Sequence, residues 1–111
     1  MPINARSAGN PTPITKTASV GTACTQIRAD TGSTVTILAD GAIFIFNGVN
    51  DGETSNPSDK IALSETEAEQ GLRIKVGRAF INGRVARRRL GGTICVAAQS
   101  GTVNVRVIVE R

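Results

Sequence analysis

Segments in which apolar and polar residues alternate occupy most of the chain after residue 17. The clearest is TVNVRVIVE (102–110), in which four valines take every second position. Because successive side chains of a β-strand point to opposite sides, this period of two predicts a strand with one buried face. The opposite face carries Asn104, Arg106, Ile108 and Glu110.

Other segments of the chain have similar strand patterning. Turn signals such as Asp40-Gly41, Asn82-Gly83 and Ser100-Gly101 separate them at intervals of about 8 to 12 residues, and no long helical pattern interrupts them. This spacing predicts an all-β sandwich or barrel of about eight short strands. The segments are TACTQIR (22–28), STVTIL (33–38), AIFIF (42–46), KIAL (60–63), GLRIKV (71–76), RAFIN (78–82), RVARRRL (84–90) and TICVAA (93–98).

Two segments have patterns of their own. AIFIF is apolar on both faces, isoleucines on one and phenylalanines on the other, which predicts a strand covered on both sides. SETEAEQG (64–71) fits a single helical turn, with Ser64 as N-cap and Glu67 as its capping-box partner, or an acidic loop.

The first 16 residues, MPINARSAGNPTPITK, are polar and contain three prolines. Proline lacks a backbone donor and restricts φ, so this segment cannot form a central strand or a helix. A disordered tail and an extended arm that orders on a neighbour both fit. We therefore expect an arm over residues 1–16 and one β-sandwich domain over residues 17–111.

The composition predicts a modest, aliphatic core. The chain has 111 residues, of which only three are aromatic, all phenylalanine. A core of this kind leaves a small margin of stability, so association with further copies would help. Cys24 and Cys95 are too few for a secreted disulfide scaffold, which favours two buried thiols over a disulfide.

Several functional classes are disfavoured by what the sequence lacks. It has no histidine, the commonest general base and metal ligand, and no phosphate-binding glycine motif. The acidic residues lie in polar surroundings, where nothing would raise a carboxyl pKa. The chain also lacks a signal-peptide pattern and an apolar run long enough to span a membrane. We expect a cytoplasmically made, non-enzymatic protein without cofactor, metal, membrane contact or small-molecule substrate.

Charge is divided into two blocks. Residues 51–70 carry six acidic residues and one lysine, whereas residues 71–90 carry seven basic residues and no acidic one. Three interpretations stay open: a solvated surface with local pairs, nucleic-acid binding, and head-to-tail pairing between copies. We favour the third because it accounts for both blocks. The candidate interface residues are Arg73, Lys75, Arg84, Arg87, Arg88, Arg89, Glu65, Glu67 and Glu69.

Two stretches, TASVGTACTQIRADTGSTVTILADGAIFIFNG and GTICVAAQSGTVNVRVIVER, resemble a recurrent type of small tailed-bacteriophage virion protein. Those chains open with a Thr/Ala/Val strand, continue through a strand ending at a glycine and a polar loop, and close with a valine-rich hairpin around a glycine turn. Residues 17–48 and 92–110 match this outline, and the arginine-rich segment 83–92 lies outside it.

The resemblance implies a jelly-roll-like β-sandwich in a virion. Its implied role is capsid decoration (cement), binding the outer capsid surface and stabilising it, with a neck or tail position as the alternative. The implied partners are the major capsid protein or another virion protein, and copies of the chain itself. A nucleic-acid-binding module that uses the basic hairpin 83–92 is the alternative from a different class.

Overall fold

The structure is a computed structural model that describes residues 3–4, 13–29, 32–47, 51–53, 60–75, 80–81, 84–85 and 93–110. These residues form two facing β-sheets, a separate two-stranded hairpin and one short helix. The all-β sandwich predicted from the sequence is confirmed.

Sheet I has the strand order β1-β3-β10-β5-β6 and sheet II has the order β2-β11-β4-β7. The strands of sheet I are β1 (Ile3–Asn4), β3 (Thr25–Arg28), β5 (Ile43–Asn47), β6 (Ile61–Leu63) and β10 (Thr93–Ala98). Those of sheet II are β2 (Ile14–Val20), β4 (Thr34–Ala39), β7 (Leu72–Lys75) and β11 (Val103–Glu110). The hairpin consists of β8 (Phe80–Ile81) and β9 (Arg84–Val85).

From β2 to β5, successive strands alternate between the two sheets, and β10 and β11 do the same. Within each sheet the ladders are antiparallel, apart from the short parallel pairing of β1 with β3. The orders β3-β10-β5-β6 and β2-β11-β4-β7 are those of a jelly roll, the double-sheet arrangement of two Greek keys.

The core lies between the two sheets and is aliphatic. β4 and β11 bury alternate residues, as the period-two pattern predicts: Val103, Val105, Val107 and Val109 of β11 are all buried. They face a second apolar layer from sheet I, in which Ile27, Ile43, Ile45, Ile94 and Val96 are fully buried. Burial of these side chains is the main contribution that stabilises the sandwich.

The prediction for AIFIF is confirmed, because both faces of β5 are covered. Ile43 and Ile45 belong to the core between the sheets. Phe46, with Phe44 packed beside it, belongs to a second apolar cluster on the opposite side of sheet I, together with Cys24, Cys95 and Ala97.

The segment SETEAEQG forms the helix α1 (Glu65–Gln70) rather than an acidic loop. Ser64 caps it: the Ser64 hydroxyl accepts from the Glu67 N–H at 3.2 Å, and the Glu67 carboxylate accepts from the Ser64 N–H at 3.2 Å. Ala68 is fully buried and anchors the helix to the end of the core.

Three local expectations need correction. β10 and β11 lie in opposite sheets, so the chain closes with an arch between sheets and not with a hairpin. Asp40-Gly41 likewise joins strands of different sheets. β2 begins at Ile14, so the first long strand starts three residues before the predicted boundary at residue 17. A turn pattern specifies a reversal of the chain but does not specify which sheet receives the next strand.

Gly41 tests the arch between β4 and β5. A Cβ atom at Gly41 would lie 2.6 Å from Cγ1 of Val103, a branched core side chain that cannot easily move aside. We expect Gly41→Ala to destabilise the fold by about 1–3 kcal/mol. The matched control is Gly21→Ala, where nothing lies within 4 Å of the added atom. Urea unfolding measures both; equal stability of the two variants would contradict the close approach.

Candidate interaction surfaces

The acidic and basic segments lie at opposite ends of one strand. α1 immediately precedes β7, and the β8–β9 hairpin follows it and contacts it. β7 has four residues, which span about 13 Å at the usual rise of a strand. We call the exposed side chains of α1 (Glu65, Glu67 and Glu69) the acidic end. We call the β8–β9 hairpin the basic end, and include in that name the arginine run 87–89 that follows it in the sequence.

Not every acidic residue of the 51–70 block belongs to the acidic end. Asp51 lies beside β3, where its carboxylate accepts from the Gln26 N–H at 2.9 Å. Glu53 is at the same place, with its carbonyl accepting from the Cys24 N–H at 2.8 Å. On α1, Glu67 serves in the capping box. Glu65 and Glu69 are exposed and have no capping contact, which leaves them available to a partner.

The basic residues are distributed over two elements. Arg73 and Lys75 lie on β7, opposite Thr36 and Thr34 of β4. Arg73 is exposed and points away from the core, as its alternation with Leu72 and Ile74 predicts. Arg84 lies on β9 and pairs with Ile81.

β8 and β9 pair as a hairpin, with Phe80 opposite Val85 and Ile81 opposite Arg84. The predicted turn residues Asn82 and Gly83 themselves lie outside the described residues. This hairpin forms a two-stranded sheet separate from sheets I and II, as expected for a projecting element. Arg87, Arg88 and Arg89 lie outside the described residues. Of the four arginines in segment 83–92, the described part of the chain therefore places only Arg84, on β9 of the hairpin.

A shallow groove of about 370 Å³ lies beside α1 on sheet II, and the sequence analysis did not identify it. Glu69 contributes a negative charge and Arg106 of β11 a positive one. The lining residues come from β2, β4, α1, β11 and the turn after β4. These elements are far apart in the chain, so no local sequence motif marks the groove. It is lined by Thr17, Leu38, Ala39, Asp40, Glu69, Asn104, Val105 and Arg106.

Asp40 joins the arch after β4 to the start of β11. Its carboxylate accepts from the Asn104 backbone N–H at 2.8 Å and from the Asn104 side-chain amide at 2.9 Å. The Asp40 N–H donates to the Asn104 carbonyl at 3.2 Å. These hydrogen bonds favour the carboxylate, so they hold the pKa of Asp40 below its ordinary value. Asp40 is therefore ionised at neutral pH and unsuited to the role of general acid.

Cys24 and Cys95 lie in the apolar cluster on the far side of sheet I, and both are buried. They are not joined by a disulfide, as the sequence favoured. The register explains this, because Cys95 lies opposite Gln26, two residues along β3 from Cys24. Diagonal neighbours of this kind are about 7–8 Å apart, beyond the reach of a disulfide.

Comparisons with known proteins identify no relative: no family model, curated protein or solved structure matches the chain. Among the described residues, no helix is long and apolar enough to cross a membrane. In that same part of the chain, no group of three or more histidine, cysteine, aspartate or glutamate side chains is placed to hold a metal ion.

The Asp40–Asn104 contact predicts a pH-dependent contribution to stability. Because the folded-state pKa of Asp40 is lowered, its contribution is present above the ordinary value of 3.8 and disappears as the pH falls through the folded-state value. We expect Asp40→Asn to be less stable than the wild type at neutral pH, with the difference shrinking below about pH 4. Urea midpoints measured across this range test it; a difference that stays constant with pH would contradict the assignment.

Proposed function

We propose that this protein is a non-enzymatic structural protein that assembles with copies of itself head to tail. The observation that supports the proposal is that α1 and the β8–β9 hairpin lie at opposite ends of β7, with the arginine run 87–89 following the hairpin in the sequence. A contact between unlike patches at opposite ends is heterologous, and such contacts form rings or extended arrays. In the proposed contact, Glu65 and Glu69 at the acidic end of one copy meet the basic end of another copy.

Charge of this kind selects a partner and its orientation more than it supplies affinity. Complementary patches steer association and disfavour like-charged encounters, while exposed ion pairs contribute about 0–1 kcal/mol each. Arginine can engage a carboxylate through two parallel hydrogen bonds, which suits the arginine-rich segment to a glutamate-bearing helix. Many weak contacts of this type bind stably only when they act together on a repeating surface.

We further propose that the repeating surface is the outside of a phage capsid, where the protein acts as a decoration (cement) protein. The jelly-roll strand order supports this proposal because it recurs among viral capsid domains. The resemblance of residues 17–48 and 92–110 to small tailed-phage virion proteins supports it as well. The partners are then the major capsid protein and neighbouring copies of this chain. A position in the neck or tail is the alternative within the same class.

Reversing the charge of each end in turn tests the head-to-tail contact. The first variant, Glu65→Lys with Glu69→Lys, keeps the capping residue Glu67 and makes both ends positive. The second, Arg87→Glu, Arg88→Glu and Arg89→Glu, makes both ends negative. We expect each variant alone to lose the larger low-salt assemblies that the charged ends hold together, and an equimolar mixture to regain them because its unlike ends attract again. Light scattering after size-exclusion chromatography measures the assembled mass.

The controls separate this contact from other effects of charge. Arg28→Glu changes an exposed charge on β3, outside both charged ends, and should leave head-to-tail assembly intact. Melting temperatures close to that of the wild type exclude unfolding as the cause. A mixture that stays dissociated would contradict pairing between the two ends. If the second variant instead loses salt-sensitive binding to an oligonucleotide that the wild type binds, the basic end serves nucleic acid.

The place of the protein in a particle has its own test. A cryo-EM map of virions that contain the chain, or a mass-spectrometric inventory of their proteins, should find it in many copies on the outer capsid surface. Localisation to the neck or tail would replace the decoration role by the alternative. Absence from purified virions would contradict a structural role in the particle altogether.

A further inference from the structure

The two sheets differ in how their edges are covered. At the β3 side of sheet I, β1 pairs with Ile27 and Arg28. Residues 51–53 then continue along the same side: the Gly52 N–H donates to the Cys24 carbonyl, the Cys24 N–H donates to the Glu53 carbonyl, and Asp51 binds the Gln26 N–H. The chain thus covers this edge with its own groups.

At the corresponding side of sheet II, β2 is an edge strand of seven residues. The other terminal strands of the two sheets, β1, β6 and β7, have two, three and four residues. Short edge strands are a common protection against unwanted pairing with strands of other chains. At seven residues, β2 lacks this protection. Among the described residues, no strand lies on the side of β2 away from β11.

The register shows which backbone groups of β2 point outwards. On β11, Asn104 directs both its N–H and its C=O towards Asp40, on the β4 side. Along an antiparallel strand, the backbone N–H and C=O groups of successive residues point alternately to one neighbouring strand and to the other. The backbone groups of Val103, Val105, Val107 and Val109 therefore point towards β2. Their partners on β2 are Val20, Ala18, Lys16 and Ile14. The remaining residues, Thr15, Thr17 and Ser19, therefore present N–H and C=O groups at the outer edge.

From this geometry we infer that β2 pairs with β2 of a second copy, antiparallel and across a two-fold axis at Thr17. The three outward residues are symmetric about Thr17, so Thr17 meets Thr17 and Thr15 meets Ser19 of the other copy. This register uses every outward backbone group of the three residues. It also joins sheet II of the two copies into one continuous sheet of eight strands, twice the four that each provides.

The side chains of β2 select this register and this occupant. Cross-strand pairs of threonine with threonine or serine are favourable, and all the outward positions carry these residues. Lys16 is the only charged residue on β2, and in this register it lies opposite Ala18. Shifting the axis to residue 16 would place the two lysines directly opposite each other, which is unfavourable. The contact contains no ion pair, so it does not depend on the charged ends.

The first experiment measures the dimer at about 1 M salt, where electrostatic contacts are screened within about 3 Å. We expect a concentration-dependent dimer in sedimentation equilibrium. Thr17→Pro should raise its dissociation constant about ten- to hundredfold, because each copy loses one outward donor while the ladder to β11 is untouched. Thr17→Val, which keeps the N–H, is the matched control and should still dimerise.

The second experiment tests the register and does not require the proline variant to fold. Lys16→Cys and Ala18→Cys place cysteines on facing strands, where Cα atoms of such a pair lie about 4.5 Å apart, within disulfide range. Oxidation of an equimolar mixture should give a covalent heterodimer, whereas each variant alone should remain uncrosslinked. Oxidised wild type controls for the buried Cys24 and Cys95.

Two results would overturn the inference. The first is a wild type that stays monomeric at high concentration in high salt, which would leave the edge to a strand of a different protein. The second is the absence of a crosslink in the mixture, or equal crosslinking of Lys16→Cys alone. These experiments distinguish failure of the β2–β2 contact from failure of the head-to-tail contact. The charge-reversed variants should keep the high-salt dimer, and Thr17→Pro should keep the low-salt assembly through the charged ends.

Discussion

Burial of the inner faces of β10 and β11 in one common core is the interaction on which the rest of the structure depends. Each is a central strand of its sheet, and the two are consecutive in the chain. Ile94, Val96 and Ala98 of β10 and the four alternate valines of β11 all belong to the same core. Every other strand of sheets I and II is placed by pairing with these two or with their neighbours.

This arrangement determines where the charges lie. A strand that enters the sandwich at one end leaves at the other, so the elements before and after β7 are held apart. α1 is anchored through its buried alanine and presents its glutamates outwards. The hairpin after β7 pairs with itself and joins neither sheet. The order of α1, β7 and the hairpin on this aliphatic sandwich is the basis of the proposed assembly.

The proposed head-to-tail contact and the β2–β2 contact would act together in an array. One is heterologous and electrostatic, so it weakens with salt. The other is isologous and made by backbone hydrogen bonds, so salt affects it little. Two different contacts on one body connect each copy to several neighbours, as coverage of a repeating surface requires. Multivalency then makes binding stable although each contact is weak.

The sequence by itself determined the strands, their buried faces and the capped helix. These features depend on neighbours in the chain: alternation assigns Val103 to Val109 to one face, and the Ser64–Glu67 spacing specifies a capping box. Local patterns in the sequence also predicted that both faces of β5 are covered and that a hairpin forms around Asn82-Gly83. The two blocks of charge are likewise visible in the sequence alone.

Only the tertiary structure decided which strands pair. An arch between sheets and a hairpin within one sheet have the same alternation and the same turn residues, and hydrophobic burial has no direction that would choose between them. The Asp40–Asn104 contact and the groove on sheet II follow from that choice, because each brings together residues that are distant in the chain. The position of β2 at the edge of sheet II, among the described residues, follows from it as well.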